Sequence, residues 1–359
     1  MNRRKFLAAV GGAAGAGLAG CVSQPGSPSS GNDDDGTLTI ATYDSFVEDQ
    51  SSLDAPATWL KEQFESEHED VTIEWVNPDN GLNHYVQRHG QGIDLDADAY
   101  LGVNVDDLIR ADERLDDSLF QELDWGSVGN TDAIKSELEF DPDGRVMPYD
   151  TGYISLVYDE GAVDEPATFD RLTEPAYEGA LLAQNAQQSD PGRAFLLWTI
   201  DQFGEDGYLD YWRALQDNDV QILGSWWDSY SAYSEGERPM VVSYSTDQVY
   251  ANRADQDMSR HQLGFLEDQG YANPEGMGVF AGSEKTELAQ DFFEFVLSPD
   301  AQGQIATLNV QFPATTDADL NEEFDQYAHE PPETVFYDYE DLQGNLDGWV
   351  EDWAREIAG

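Results

Sequence analysis

The sequence predicts an α/β protein of two domains with a ligand cleft between them, and three observations lead there. About 340 residues follow the N-terminal segment, beyond the size at which one hydrophobic core usually keeps growing. Buried-strand patterns alternate with helical ones at the spacing of βαβ units, which build parallel sheets. One apolar run, 146–159 (VMPYDTGYISLVYD), is long enough to pass from one domain into the other.

The elements follow in order. Residues 38–43 (LTIATY) open the fold as a buried strand. A helix is predicted over 55–68, where Trp59, Leu60 and Phe64 fall at helical spacing, and 71–76 and 99–103 read as strands around it. A helix over 106–110 follows. Past the long run come a helix at 169–172, a strand at 180–183 and helices at 193–203 and 208–216. Strands at 220–223 and 240–244 complete that stretch, and strands at 262–265 and 278–280 are expected to return the chain. Residues 288–297 form an amphipathic helix with Phe292, Phe293, Phe295 and Val296 mostly in the core, and 346–357 closes the chain as a helix. The expected boundaries are 37–147 plus 268–359 for the first domain and 148–267 for the second. Two crossings between domains favour a cleft that opens and closes at a hinge.

The N-terminus carries an address. Arg3-Arg4-Lys5-Phe6-Leu7 leads into a Gly/Ala-rich apolar run that stops at Leu18-Ala19-Gly20-Cys21. This reads as a twin-arginine export signal. At about 15 residues the run is shorter than the roughly 20 a spanning helix needs. The last four residues resemble a lipobox, which implies lipid acylation of Cys21 and a folded body outside the cell, on the outer face of the cytoplasmic membrane. An uncut transmembrane anchor is the alternative. Residues 22–36, rich in Ser, Pro, Gly and Asp, read as a flexible tether. Cys21 is the only cysteine, so the folded body has no disulfide, thiol nucleophile or Cys-based zinc site.

Charge is the extreme property: 73 acidic residues against 17 Lys and Arg, for a net charge of −56. A disordered acidic tail would be poor in aromatics, whereas aromatics reach 12% here and the acids are spread along the chain. The reading is a folded body with a carboxylate-covered surface, as in proteins of saturated-salt environments, where self-repulsion is screened over about 3 Å at 1 M. Nucleic acid and anionic membrane are poor partners for such a body, and a cationic ligand is electrostatically allowed, though charge alone does not choose a ligand.

Several stretches then add up. They are TYDSF at 42–46, PYDTGY at 148–153 and SDPG at 189–192 with LLW at 196–198. WWDSY at 226–230, YST at 244–246 with Tyr250, and LSP at 297–299 follow in the same order. With these the chain resembles the periplasmic thiamine-binding proteins of ABC importers, within the larger group of two-domain solute-binding proteins. The resemblance runs from about residue 37 to the C-terminus. It implies a periplasmic-binding-protein fold (type II-like), thiamine or a thiamine phosphate as ligand, and an ABC permease with its ATPase as partners. No cofactor is implied, and a monomer is expected.

A flat organic cation calls for aromatic faces, each contributing roughly 0.5–2 kcal/mol, and a phosphate calls for N–H groups at a helix start. Ser189 and Asp190 sit at such a start and match residues that touch ligand in the resembled family. Trp226 matches a stacking tryptophan. Tyr244, at a strand end where α/β proteins place ligands, carries over with Ser245, Thr246 and Asp247, and Tyr250 is expected nearby. In Asp79-Asn80-Gly81 the glycine matches the family turn while Asn80 displaces its acid. Asp44 is a candidate carboxylate for the cationic or amino end, with a hinge or cap role as the alternative, and the adjacent Tyr43 is a candidate aromatic face. One position departs: a second stacking tryptophan of the family is replaced by Val310, so Phe312 or Tyr43 compensates or the ligand is another small cation.

Rival functions fit the residues less well. Ferric-binding relatives of this fold use adjacent tyrosines, and the chain has no Tyr-Tyr pair. A polyamine would suit Asp44, Asp190, Asp247, Trp226 and Tyr244. Thiamine-degrading enzymes of similar architecture need a cysteine nucleophile, which the body lacks. The five histidines show no metal-ligand spacing, and no G-x-S-x-G, P-loop or dinucleotide fingerprint is present, so no enzyme is expected.

Overall fold

The computed structural model describes residues 36–47 and 55–357. The leader, Cys21 and most of the tether lie outside the described residues.

The first half is built as the alternation predicts. Strand β1 (Thr37–Ala41) leads to the short helix α1 (Asp44–Val47) and then α2 (Pro56–Glu67), β2 (Thr72–Val76), α3 (Leu82–Gly90), β3 (Ala99–Val103) and α4 (Val105–Arg114). β1 pairs in parallel with both β2 and β3. Strand β4 (Val146–Tyr158) is buried along its whole length, which explains its unbroken apolar pattern. The second half follows with β5 (Leu181–Gln184), α5 (Asp190–Phe203), α6 (Tyr208–Asp217), β6 (Gln221–Leu223), α7 (Trp226–Ser234), β7 (Met240–Tyr244), α8 (Asp247–Arg253) and β8 (Gln262–Gly264). β5 pairs in parallel with β6 and β7. Strand β9 (Gln269–Val279) then runs back along β4. The chain ends through α9 (Thr286–Val296), α10 (Pro299–Asn309), β10 (Phe312–Pro313), α11 (Glu322–Tyr327), β11 (Glu333–Val335), α12 (Tyr339–Leu342) and α13 (Leu346–Glu356).

The eleven strands among the described residues join one sheet whose main path is β2-β1-β3-β9-β4-β7-β5-β6. β4 and β9 form its antiparallel middle and belong to both halves. The last part of β9 lies between β3 and the first part of β4, while the last part of β4 pairs with β7 and β8. Their register slips between Pro148 and Asp150, and a bulge of this kind sharpens local twist at the crossing. On one side Leu38, Ile40, Leu60, Phe64, Phe292 and Phe293 share a core. On the other, Phe195, Trp198 and Trp212 pack together, and Trp353 of α13 meets Trp212 edge-on.

Three expectations need correction. The segment at 169–172 is a 3-10 turn over Asp170–Thr173 rather than an α-helix. β8 does not return the chain, because it pairs with the far end of β4. The return is made by β9, of which 278–280 is only the tail. Gly270, Pro274 and Gly276 hide that strand, since each weakens an ordinary strand pattern. Proline is tolerated here opposite Thr151, which also pairs with Phe312 of β10.

Candidate functional site

The crossing strands place two carboxylates side by side. Asp150 of β4 and Glu275 of β9 are register partners, and Asp150 is completely buried. Asn309, the last residue of α10, donates through Nδ2 to Asp150 Oδ2 at 2.9 Å and to the Tyr43 hydroxyl at 3.0 Å. The Tyr149 hydroxyl donates to Glu275 Oε2 at 2.9 Å and lies 3.4 Å from that of Tyr43. Gly102 makes room for this arrangement, because a Cβ there would stand 2.5 Å from the Tyr43 ring. Burial raises the pKa of both carboxyl groups, with Glu275 adding to the rise of Asp150 and Asp190 to that of Glu275. Glu275 is pushed up to about 7. Burial also raises Tyr43, with Glu275 and Asp150 adding to it.

From the second half, Tyr244 ends β7 opposite Ile154 and lies against Gly152. A Cβ at Gly152 would come within 2.6 Å of the Tyr244 ring and 2.7 Å of Gln311 Oε1. Burial raises the Tyr244 hydroxyl, and Asp190, Glu275, Tyr250 and Asp150 raise it further. The tyrosine therefore sits in the field of carboxylates from both halves. Trp226 opens α7, donates through Nε1 to Ser243 Oγ at 3.0 Å and stacks on Tyr230 with ring centroids 4.9 Å apart. Its ring is 6.4 Å from that of Tyr244. Trp227 turns outward with 68% exposure, so of the adjacent pair Trp226 is the inward member.

Ser189 is the N-cap residue of α5 by position, yet its side chain caps no helix N–H. Asp190 keeps 54% of its side chain accessible and is bound by buried Arg193 at 2.5 Å. Arg193 also reaches Asp106 at 2.8 Å, joining α5 of the second half to α4 of the first. Neighbouring Asp107 is pushed up to about 8, first by burial and then by Asp106 and Asp190.

The structure thus brings Tyr43, Asp190, Trp226 and Tyr244 to one place, with Gly81 at its edge. Gly81 adopts φ +52°, and a Cβ there would lie 3.5 Å from the Tyr100 hydroxyl, itself in the field of Glu275 and Asp190. Asn80 is exposed on the turn before it. Asp44 is exposed and accepts from Asn77 Nδ2, a local clamp at the start of α1. Both oxygens of Asp247 are engaged, one by the Tyr230 hydroxyl at 2.5 Å and one by His261 Nδ1 at 2.7 Å. Ser245 and Thr246 are buried beneath that turn, and Tyr250 is 36% exposed. Val310 is 1% exposed in the left-handed conformation, φ 55°, and packs in a core with Phe312 and Val249. Its side chain offers no face to a cleft; its backbone turn instead sets Asn309 and Gln311 on either side. Sequence reasoning passed over Tyr149, Asp150, Glu275, Asn309 and Gln311. Only PYDTGY held a signal for two of them.

This architecture, two α/β halves joined by paired crossing strands with polar and aromatic groups gathered at the crossing, is that of a solute-binding protein. The family model for bacterial extracellular solute-binding proteins matches residues 59–332, and the chain belongs to that family. It is 26% identical over 326 residues to the thiamine-binding periplasmic protein of Escherichia coli K12, covering 89% of this chain and 93% of that one. It is 28% identical to the thiamine-binding periplasmic protein of Brucella suis, covering 90% and 92%. A solved periplasmic thiamin binding protein superposes with a TM-score of 0.74 at 25% identity, over 89% of this chain and 96% of that one.

Proposed function

We propose that this protein is the extracytoplasmic substrate-binding component of an ABC importer, capturing thiamine or a thiamine phosphate and delivering it to a membrane permease. The observation that carries the reading is the meeting of aromatic faces with carboxylates at the crossing. Tyr43, Trp226 and Tyr244 supply the faces, and Asp150, Glu275 and Asp190 the negative charge. Such a place suits a flat organic cation. The names of the relatives above point to the same ligand. Ligand binding is taken to draw 37–147 plus 268–359 and 148–267 together about the crossing strands, a population shift whose cost lowers the apparent affinity.

Ser189, Asp190 and Gly81 line the proposed ligand's polar end, and Tyr250 and the Ser245–Thr246 turn back its aromatic wall. The body is proposed to be a monomer held at the outer membrane face by lipid on Cys21, exported by the twin-arginine route and adapted to high salt. Binding and release are its activity, with no catalytic step. Isothermal titration with thiamine and its mono- and diphosphate in concentrated KCl tests this reading. Saturable binding of one of the three at micromolar or lower concentration supports it, and absence of binding to all three rejects it.

A further inference from the structure

Two acceptors at the crossing have no donor. Asp150 Oδ1 is buried without a hydrogen-bond partner, and so is Gln311 Oε1. Glu275, only partly buried, receives the Tyr149 hydroxyl on Oε2. These groups converge. Asp150 and Gly152 lie on the same face of β4, being two residues apart in a strand, and Gln311 stands over Gly152 at a distance a Cβ would close to 2.7 Å. Glu275 faces Asp150 in register. Among the described residues no lysine, arginine or histidine forms an ion pair with either carboxylate: the guanidinium at this end of the fold, Arg193, is bound to Asp106 and Asp190. The neighbours that do face the pair are Tyr43, Tyr149 and Asn309. A buried acceptor left without a donor costs about 1–3 kcal/mol, more when charged, so the arrangement favours a partner that brings N–H groups.

We propose that Asp150, Glu275 and Gln311 form a subsite that receives the N–H-bearing end of the bound organic cation as hydrogen-bond acceptors, the carboxyl groups ionised in the complex, orienting the ligand. This rests on the reading of the protein as a thiamine-binding component. The aminopyrimidine of thiamine carries N–H donors and the quaternary thiazolium carries none. The aminopyrimidine therefore lies at the crossing strands, and the thiazolium goes to the aromatic wall of Trp226 and Tyr244, where a charge without donors is best held. Nearness of two carboxylates adds long-range attraction for a net positive ligand.

The test compares thiamine with an analogue whose pyrimidine carries hydrogen in place of the amino group, on the full protein and on D150N, E275Q and Q311M, with melting temperature as a fold check. The wild type is expected to prefer thiamine at least about tenfold, because a C–H there would leave the carboxylates without a donor. That preference is expected to shrink to about threefold or less in E275Q and D150N. Equal binding of the two ligands by the wild type overturns the subsite while leaving the thiamine reading intact, and needs no variant to fold. An unchanged preference in folded E275Q and D150N does the same. Where the wild type binds spermidine but not thiamine, the thiamine reading fails. The subsite then stands if the same variants weaken spermidine at least about fivefold, and falls if they do not. Binding of neither cation overturns both.

Discussion

Asp150 and Glu275 face each other across the two strands that join the halves of the sheet, and the buried Asp150 keeps one oxygen without a donor. The strands that join the halves therefore also carry the paired carboxyl groups. A ligand that supplies the missing donors ties β4 to β9 at the point about which the halves would move. Burial, reinforced by the neighbouring carboxyl groups, holds protons on this pair to an unusually high pH.

That protonation gives a pH dependence with a definite sign. Burial, with Asp190 beside it, pushes Glu275 up to about 7 against the lowering hydrogen bonds from Tyr43 and Tyr149. A donor-bearing cation favours the ionised form, so binding releases a proton near neutrality. Affinity is expected to be highest above pH 7 and to fall by up to about tenfold per unit below it. Titrations from pH 5.5 to 8.5 in buffers of different ionisation heat measure both the affinity and the released proton, and both effects are expected to vanish in E275Q.

The aromatic wall is expected to hold the cation. Trp226→Ala and Tyr244→Ala should each weaken binding by more than about 1 kcal/mol, whereas Trp227→Ala, 68% exposed, should change it by less than about half of that. Dissociation constants that stay unchanged in both inward variants would place the ligand elsewhere.

Asp247 separates a supporting role from a contacting one. Its oxygens are held by Tyr230 and His261, and both it and the histidine are buried. Asp247→Asn is expected to lower stability by about 1–3 kcal/mol, as when a buried polar group loses a hydrogen-bond partner. The affinity of the protein that remains folded should change less than about threefold. Denaturant unfolding together with titration distinguishes the two effects.

The carboxylate-covered surface predicts a salt requirement. With a net charge of −56, self-repulsion is expected to lower the melting temperature steeply as KCl falls from about 3 M to about 0.2 M. A melting temperature flat across that range would show that the acids are offset within the fold.

Much of this was legible in the sequence and some could not be. The strands β1, β2, β3 and β7 and the strand-end position of Tyr244 follow from apolar runs bounded by turns, and β3 and β7, buried on both faces, have the simplest pattern. β9 did not, since Pro274 and two glycines break its pattern at the crossing where its backbone is pinched between β3 and β4. Glu275 was lost with it. One carboxylate among 73 acidic residues carries no mark until a register pair and a missing donor single it out. Trp226 could be chosen over Trp227 only by matching stretches, because a helix start leaves both orientations open. Val310 read as a missing aromatic face; its left-handed backbone shows that the position turns the chain and buries its own side chain.

The central claim, that an organic cation binds at the crossing strands beside Trp226, is tested most directly by tryptophan-fluorescence titration of the protein and of Trp226→Phe in high salt. Thiamine is expected to quench the wild type saturably, and to leave Trp226→Phe with little change in signal despite measurable binding by calorimetry. Undiminished quenching in Trp226→Phe, or no saturable response to thiamine in the wild type, would contradict the account.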